Sequence, residues 1–421
     1  MSVVFGPRPG EFIWATGIED TFVPQTKPGH RALDEYALMG HYENWRTDLS
    51  LLKEIDVNAV RLGIPWYRVE PKRGEFDWSW TDQVIPFLVE TLRVTPIIDL
   101  MHYGCPFWLN KEFANGDYPT AVADYARAFA LRYKRLISFF TPLNEPLVNA
   151  VMCGKRGLWP PYLKEDSGYV RILLQIVRGV LNTIEALKEI DETFTIVQVE
   201  ATGLSRAIRH DLEPFAIEHQ RRGYLYYDLV TGAVNRDHSL FDWLLSSGAT
   251  SHELEEIAAR RTSIDVLGMN FYPQWSTQQI YMNRKGRLCF RPIEHDGSGF
   301  MSLIDDYYQR YRAPIMITET SAVGSDEVRS RWLCESVAAV KTLRTRGVPV
   351  LGYTWFPLLT MVDWRYRLGR RSVEKYYIDL GLFKIRPALD GERRWEETVL
   401  VKQLREYISN PLESVGLLKI Y

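Results

Sequence analysis

The chain has 421 residues, 46% of them hydrophobic and 25% charged, the balance of a globular protein with a full core. Its formal net charge of −2 provides no cationic surface of the kind that nucleic acid or an anionic membrane requires. No apolar run approaches the ~20 residues that span a bilayer. The N-terminal MSVVFGPRPGEF lacks the basic start and apolar stretch of a secretory signal. Cys105, Cys153, Cys289 and Cys334 are scattered without metal-binding or CxxC spacing, so free thiols and a cytoplasmic location are expected. Aromatic residues reach 13%, an excess that suits both a large core and a carbohydrate site.

Eight short runs predict strands: 12–16, 59–66, 95–102, 137–143, 195–201, 265–272, 314–319 and 349–356. Several are almost continuously apolar, as in VTPIIDL, FTIVQV and APIMIT, which is the pattern of a strand covered on both faces. Between them lie amphipathic segments with helical spacing, namely 44–55, 121–136, 169–190, 251–261 and 328–347, the last closing on Gly347. Eightfold strand–helix alternation predicts a parallel sheet closed into a (β/α)8 barrel over residues 1–421 as one domain. An open doubly wound sheet is the structural alternative, disfavoured because no GxGxxG turn follows the first strand. The surplus length falls in two segments expected to be loops, 148–168 and 273–300.

Polar residues gather where the predicted strands end: RLGIPWYR, DLMHYG, TPLNEP, VQVEA, GMNFYP, ITET and GYTWFPLLTMVDW. A strand core has no use for His102, Glu145, Glu200, Asn270 or Glu319, and on a (β/α)8 barrel this end carries the catalytic groups. Glu145 and Glu319 each terminate a strongly apolar run, on the fourth and seventh strands, so their carboxyls can face each other across the mouth. Glycoside hydrolysis needs such a pair, one carboxyl protonated to assist the leaving group and one ionised. The same positions also fit two loop-proximal ion-pair partners.

The residues themselves resemble glycoside hydrolase family 1, the β-glucosidase group. TPLNEP is similar to the family's TxNEP, ITET to its ITENG, RLGIPWYRVEP to its RFSISWSRI strand, and LMHYGCPFWL to its LYHWDLPxWL. GMNFYP is similar to GLNYY, and GYTWFPLLTMVDW to GYFxWSLLDNFEW without a gap. The matches run in order from about residue 12 to about residue 385. The resemblance implies a retaining, exo-acting β-glycosidase that needs neither metal nor cofactor and takes a carbohydrate substrate. It implies Glu145 as general acid and then base, Glu319 as nucleophile kept ionised by Arg61 and positioned by Tyr272, and Asn144 on the sugar 2-hydroxyl. His102, Asn270, Trp355 or Phe356, and Trp364 would line the sugar site.

The departures fall on recognition. ATGIEDTF stands where the family carries a glycone-binding Gln, leaving Glu19 as the candidate, and Asp363 replaces a Glu that grips the 4- and 6-hydroxyls. Phe356 aligns with the family's platform Trp, with Trp355 beside it. TETSA replaces TENGA around the nucleophile. Glu200 has no counterpart in the resemblance and reads equally as a substrate contact or as the partner of a nearby Arg. A transglycosylase with the same intermediate, and a silent glycan-binding barrel, are the alternative functions. A metal-dependent hydrolase is excluded on this reading, because only His102 and Asp363 stand at strand ends as ligands.

Overall fold

The computed structural model describes residues 11–387 and 393–410. Eight parallel strands close a barrel: β1 (Ile13–Ile18), β2 (Ala59–Gly63), β3 (Thr95–Asp99), β4 (Phe139–Thr141), β5 (Thr195–Ala201), β6 (Val266–Phe271), β7 (Ile315–Thr320) and β8 (Val350–Trp355). Each pairs with its successor and β8 returns to β1, as the eightfold alternation predicts. Helices cover the outside, chief among them α1 (His41–Ile55), α2 (Thr81–Pro86, continued as a wider turn to Leu92), α3 (Tyr118–Tyr133), α4 (Glu165–Ile190), α5 (Glu213–Val230), α6 (Gly297–Tyr311), α7 (Asp326–Thr345) and α8 (Val399–Ser409), with the expected helix at 251–261 present as Ser251–Ala259.

Two apolar layers follow from the two faces of each strand. Ile13, Ala15, Ala59, Ile97, Val197, Val199, Val266 and Met316 point inward and plug the barrel floor. The opposite faces pack against the helices in one large cluster that includes Val60, Leu62, Ile98, Leu267 and Ile317. Helices form where one stripe is apolar: α4 buries Leu173, Ile176, Val177, Val180, Leu181 and Leu187. α7 stops where Gly347 adopts φ +86°, the left-handed conformation that glycine takes without a Cβ clash. The first and last units are tied together by Asp48 on α1, which accepts from Arg393 Nη1 (2.8 and 2.9 Å) and Trp395 Nε1 (2.9 Å).

Two expected loops are more ordered than their composition suggests. Within 273–300, Thr277–Met282 and Leu288–Pro292 form a hairpin that joins Leu204–Ala207 in a three-stranded sheet. Its turn is held by Asn283 Oδ1, which accepts from the N–H groups of Lys285 (2.9 Å) and Arg287 (3.0 Å). Most of their side chains are exposed or half-buried, with only Thr277 and Ile280 buried, so they lack the apolar face that marks a core strand. Segment 148–168 holds the short helix Pro146–Asn149, a wide turn over Ala150–Lys155 and the start of α4. Among the described residues, no helix is long and apolar enough to cross a membrane.

Candidate active site

Inward alternation continues upward from the floor into chemistry. Arg61 stands two residues beyond Ala59 on β2, Asp99 two beyond Ile97 on β3, and Asn270 four beyond Val266 on β6. On β7 the same count from Met316 would send Glu319 outward to the helices. A register shift between Ile317 and Glu319 against β6, and between Ile317 and Thr320 against β8, turns it into the mouth instead. β4 ends at Thr141, after which Asn144 bridges to Val199 of β5 and Glu145 adopts a left-handed backbone at φ 49°, ψ 66°. For a residue with a side chain that conformation costs about 1–3 kcal/mol, and it persists where surrounding bonds over-determine it.

Arg61 is the hub. Its Nη1 donates to Glu319 Oε1 (2.8 Å) and the Thr318 carbonyl (3.0 Å) and is ion-paired with Glu19 Oε1 (2.6 Å). Its Nη2 reaches Asp99 Oδ2 (3.2 Å) and Asn144 Oδ1 (3.3 Å). The second oxygen of Glu319 accepts from Tyr272 Oη at 2.6 Å. Burial, then the charge of Glu319, pushes the Tyr272 phenol well above its ordinary range, so it stays a donor. Among the described residues no Lys or Arg pairs with Glu145. It accepts from Asn270 Nδ2 (2.8 Å) and from Tyr103 Oη. Burial, reinforced by the charge of Glu319, pushes its carboxyl up to about 7. Asn144 Nδ2 lies 3.2 Å from His102 Nε2, and His102 Nδ1 lies 2.9 Å from Asp99 Oδ2.

The structure therefore brings Arg61, His102, Asn144, Glu145, Asn270, Tyr272 and Glu319 into one connected network. Three further members were not singled out from sequence: Asp99, Tyr103 and Thr318, whose Oγ1 donates to Asn270 Oδ1 (2.7 Å). Asp99 and Tyr103 lie in the DLMHYG segment, three residues before and one after His102, and that position was the available signal. Trp364 packs edge-on against Tyr103 and Trp159 and donates from Nε1 to Thr21 Oγ1 (3.0 Å). Phe356, one residue beyond β8, is buried, and its N–H donates to the Thr320 carbonyl (3.1 Å).

Other sugar-site candidates are placed differently. Glu19 is turned onto Arg61 rather than left open as an acceptor. It folds back so tightly that a Cβ on Gly17 would lie 2.2 Å from its Oε2, which is why glycine occupies that position. Trp355 is fully buried with its Nε1 on the Leu380 carbonyl (3.1 Å), so it does not swing into the mouth. Asp363 caps the turn Trp364–Arg367, accepting from the Arg365 N–H (2.7 Å) and Nε (2.8 Å), and makes no bond to the network. The reason is local: a carboxylate two residues ahead of a turn N–H and an Arg finds both first. Glu200 meets neither a mouth residue nor an Arg; it accepts the N–H groups of Leu147 (2.9 Å) and Ala201 (2.8 Å).

Such burial has a consequence for stability. Burial pushes the Asp20 carboxyl up to about 7, and those of Glu19 and Glu200 well above the ordinary range. Together with Glu145 they bind protons more tightly folded than unfolded, so the unfolded state binds fewer and stability falls with rising pH. The loss begins at the unfolded carboxylate value near 4 and, for Glu145 and Asp20, is complete above about 7. The unfolding temperature is expected to drop by several degrees between pH 5 and pH 8 in calorimetry, and a rise over that range would contradict these assignments.

A closed parallel barrel with its ionisable groups gathered at the C-terminal mouth is the architecture of barrel enzymes. The pattern of glycosyl hydrolase family 1 matches residues 15–284, more than half of the sequence. The chain belongs to that family. It is 22% identical over 363 residues to the 1,4-beta-D-glucan glucohydrolase of Thermotoga neapolitana, covering 79% of this chain and 84% of that protein. It is 21% identical over 413 residues to an aryl-phospho-beta-D-glucosidase of Bacillus subtilis, covering 84% and 82%. Its fold matches that of the beta-glucosidase from Thermotoga maritima in complex with noeuromycin with a TM-score of 0.81 at 18% identity, over 95% of this chain and 98% of the other.

Proposed function

We propose that the protein is a retaining, exo-acting β-glycosidase working through a covalent glycosyl-enzyme intermediate. The observation that carries the proposal is the contrast between two carboxyls at the ends of β4 and β7. Glu319 lies on a guanidinium and a phenol. Glu145 lies on neutral donors only, its carboxyl raised to about 7 by burial and by Glu319. Pairs of carboxyls held in opposite environments divide acid and nucleophile roles.

In the first step Glu319 attacks the anomeric carbon while Glu145 gives its proton to the departing oxygen. In the second, Glu145 takes a proton from water, which displaces Glu319 and restores the β configuration. Asn144, fixed by Arg61, Tyr103 and Asn270, is the group to meet the 2-hydroxyl as charge develops at the anomeric carbon. The two residues expose little surface, Glu145 6% and Glu319 3%, and Tyr103, which bonds Glu145, is itself packed against Trp159 and Trp364. That degree of enclosure supports action at a chain end.

The test is a panel of 4-nitrophenyl β-glycosides followed by proton NMR of the first sugar released. Glucosides and 6-phosphoglucosides head the panel, because relatives carry names for both. The β-anomer is expected before mutarotation. An α-anomer would refute retention, and a folded protein that cleaves no member of the panel would favour a silent glycan-binding barrel.

A further inference from the structure

We propose that Glu200 is a positioning residue for the acid/base carboxyl: from behind the barrel wall it holds the backbone turn that presents Glu145. The inference rests on the reading of Glu145 given above. Val197 and Val199 of β5 point into the barrel, so Glu200, one residue on, lies on the outer face and away from any bound sugar. It is fully buried, and among the described residues no Lys or Arg pairs with it. The phenols of Tyr169, Tyr226, Tyr227 and Tyr307 are near enough to feel its charge, but none is hydrogen-bonded to it. A carboxyl in that setting is expensive, and an aliphatic side chain would fill the space at lower cost.

What the carboxyl does there is specific. Pro146 has no N–H, so Leu147 carries the first backbone donor after Glu145, in a turn whose leading N–H groups have no intrahelical partner. Glu200 Oε2 accepts that N–H at 2.9 Å while Oε1 accepts the Ala201 N–H at 2.8 Å, clamping the turn to the end of β5. Further ties are the Asn144 N–H to the Met101 carbonyl (3.0 Å), the Glu145 N–H to the Val199 carbonyl (3.2 Å), the Asn149 N–H to the Glu145 carbonyl (3.1 Å), and Asn149 Nδ2 to the carbonyls of Asn144 (2.9 Å) and Glu145 (3.0 Å). Glu145 needs all of them, because its left-handed backbone would otherwise relax and withdraw the carboxyl from the departing oxygen. Glu319 is carried by a different strand and is untouched by this clamp.

The test compares kcat/KM, which reports the first chemical step, for substituted phenyl β-glycosides of the best-cleaved sugar. Glu200→Ala is expected to lose about 10²-fold on leaving groups that need protonation, the scale of an ångström misplacement. On the dinitrophenyl glycoside, which leaves unaided, the loss is expected to stay within a few-fold. Glu200→Gln keeps one acceptor oxygen for Leu147 and should recover most of the difference, which also guards against misfolding of the alanine variant. Equal losses on every leaving group, or none on any, in protein that melts cooperatively would overturn the proposal. The parallel series on Glu145→Ala separates the two readings: if that variant shows no leaving-group dependence, it is the acid assignment that fails.

Discussion

Glu319→Ala is expected to lower kcat/KM by about 10⁴–10⁶-fold, the range for deleting a covalent nucleophile. The fold should survive, because Arg61 keeps two carboxylate partners, Glu19 at 2.6 Å and Asp99 at 3.2 Å, and is not left as an orphaned buried charge. Azide added to this variant would occupy the vacated space below the sugar and attack from that face. The product expected from a dinitrophenyl β-glycoside is therefore an α-glycosyl azide. A variant retaining more than a hundredth of wild-type kcat/KM, or giving a β-azide, would remove Glu319 from the nucleophile role.

Glu145→Ala should behave in the complementary way. General acid assistance contributes about 10²–10⁴-fold, so losses of that size are expected for unactivated glycosides and far smaller ones for dinitrophenyl glycosides. The pH profile carries the same information. The proposed first step needs Glu145 protonated, and its carboxyl is raised to about 7 by burial and by Glu319. Wild-type kcat/KM should thus fall roughly tenfold per unit above that point. The alkaline limb should vanish in Glu145→Ala measured on the dinitrophenyl substrate. Here azide enters above the ring and should yield the β-glycosyl azide. An unchanged alkaline limb in the variant would assign the proton to another group.

Most of the barrel was legible in the chain because the forces that define it are local or periodic. A strand covered on both faces must be apolar along its length, so the run 195–201 reappears with the same bounds as β5, and the other seven lie within a few residues of theirs. The hairpin at Thr277–Met282 and Leu288–Pro292 escaped because it buries few side chains and is held by backbone pairing and an Asn turn. The site divides along the same line. Glu145, Asn270 and Glu319 are polar groups at the ends of apolar runs and stood out for that reason, whereas Arg61 and Asn144 came from the family resemblance. Trp355, a candidate for the sugar site from its place in the chain, is instead bonded into the wall through the Leu380 carbonyl.

For the two glutamates the sequence thus set the strand and its end, and the family resemblance the partners expected for Glu319. Only the tertiary structure decided how they differ. The shift in register that turns Glu319 inward depends on how β7 pairs with β6 and β8. The neutral setting of Glu145 depends on Tyr103 and Asn270 arriving from β3 and β6, and its turn is tied to β5 through Glu200. The same holds for recognition. Whether Glu19 meets a sugar or a guanidinium, and whether Asp363 reaches the pocket or caps its own turn, is a competition among nearby donors. Residue type states what a side chain can accept; only folding sets which donor comes within 3 Å, the reach of a hydrogen bond.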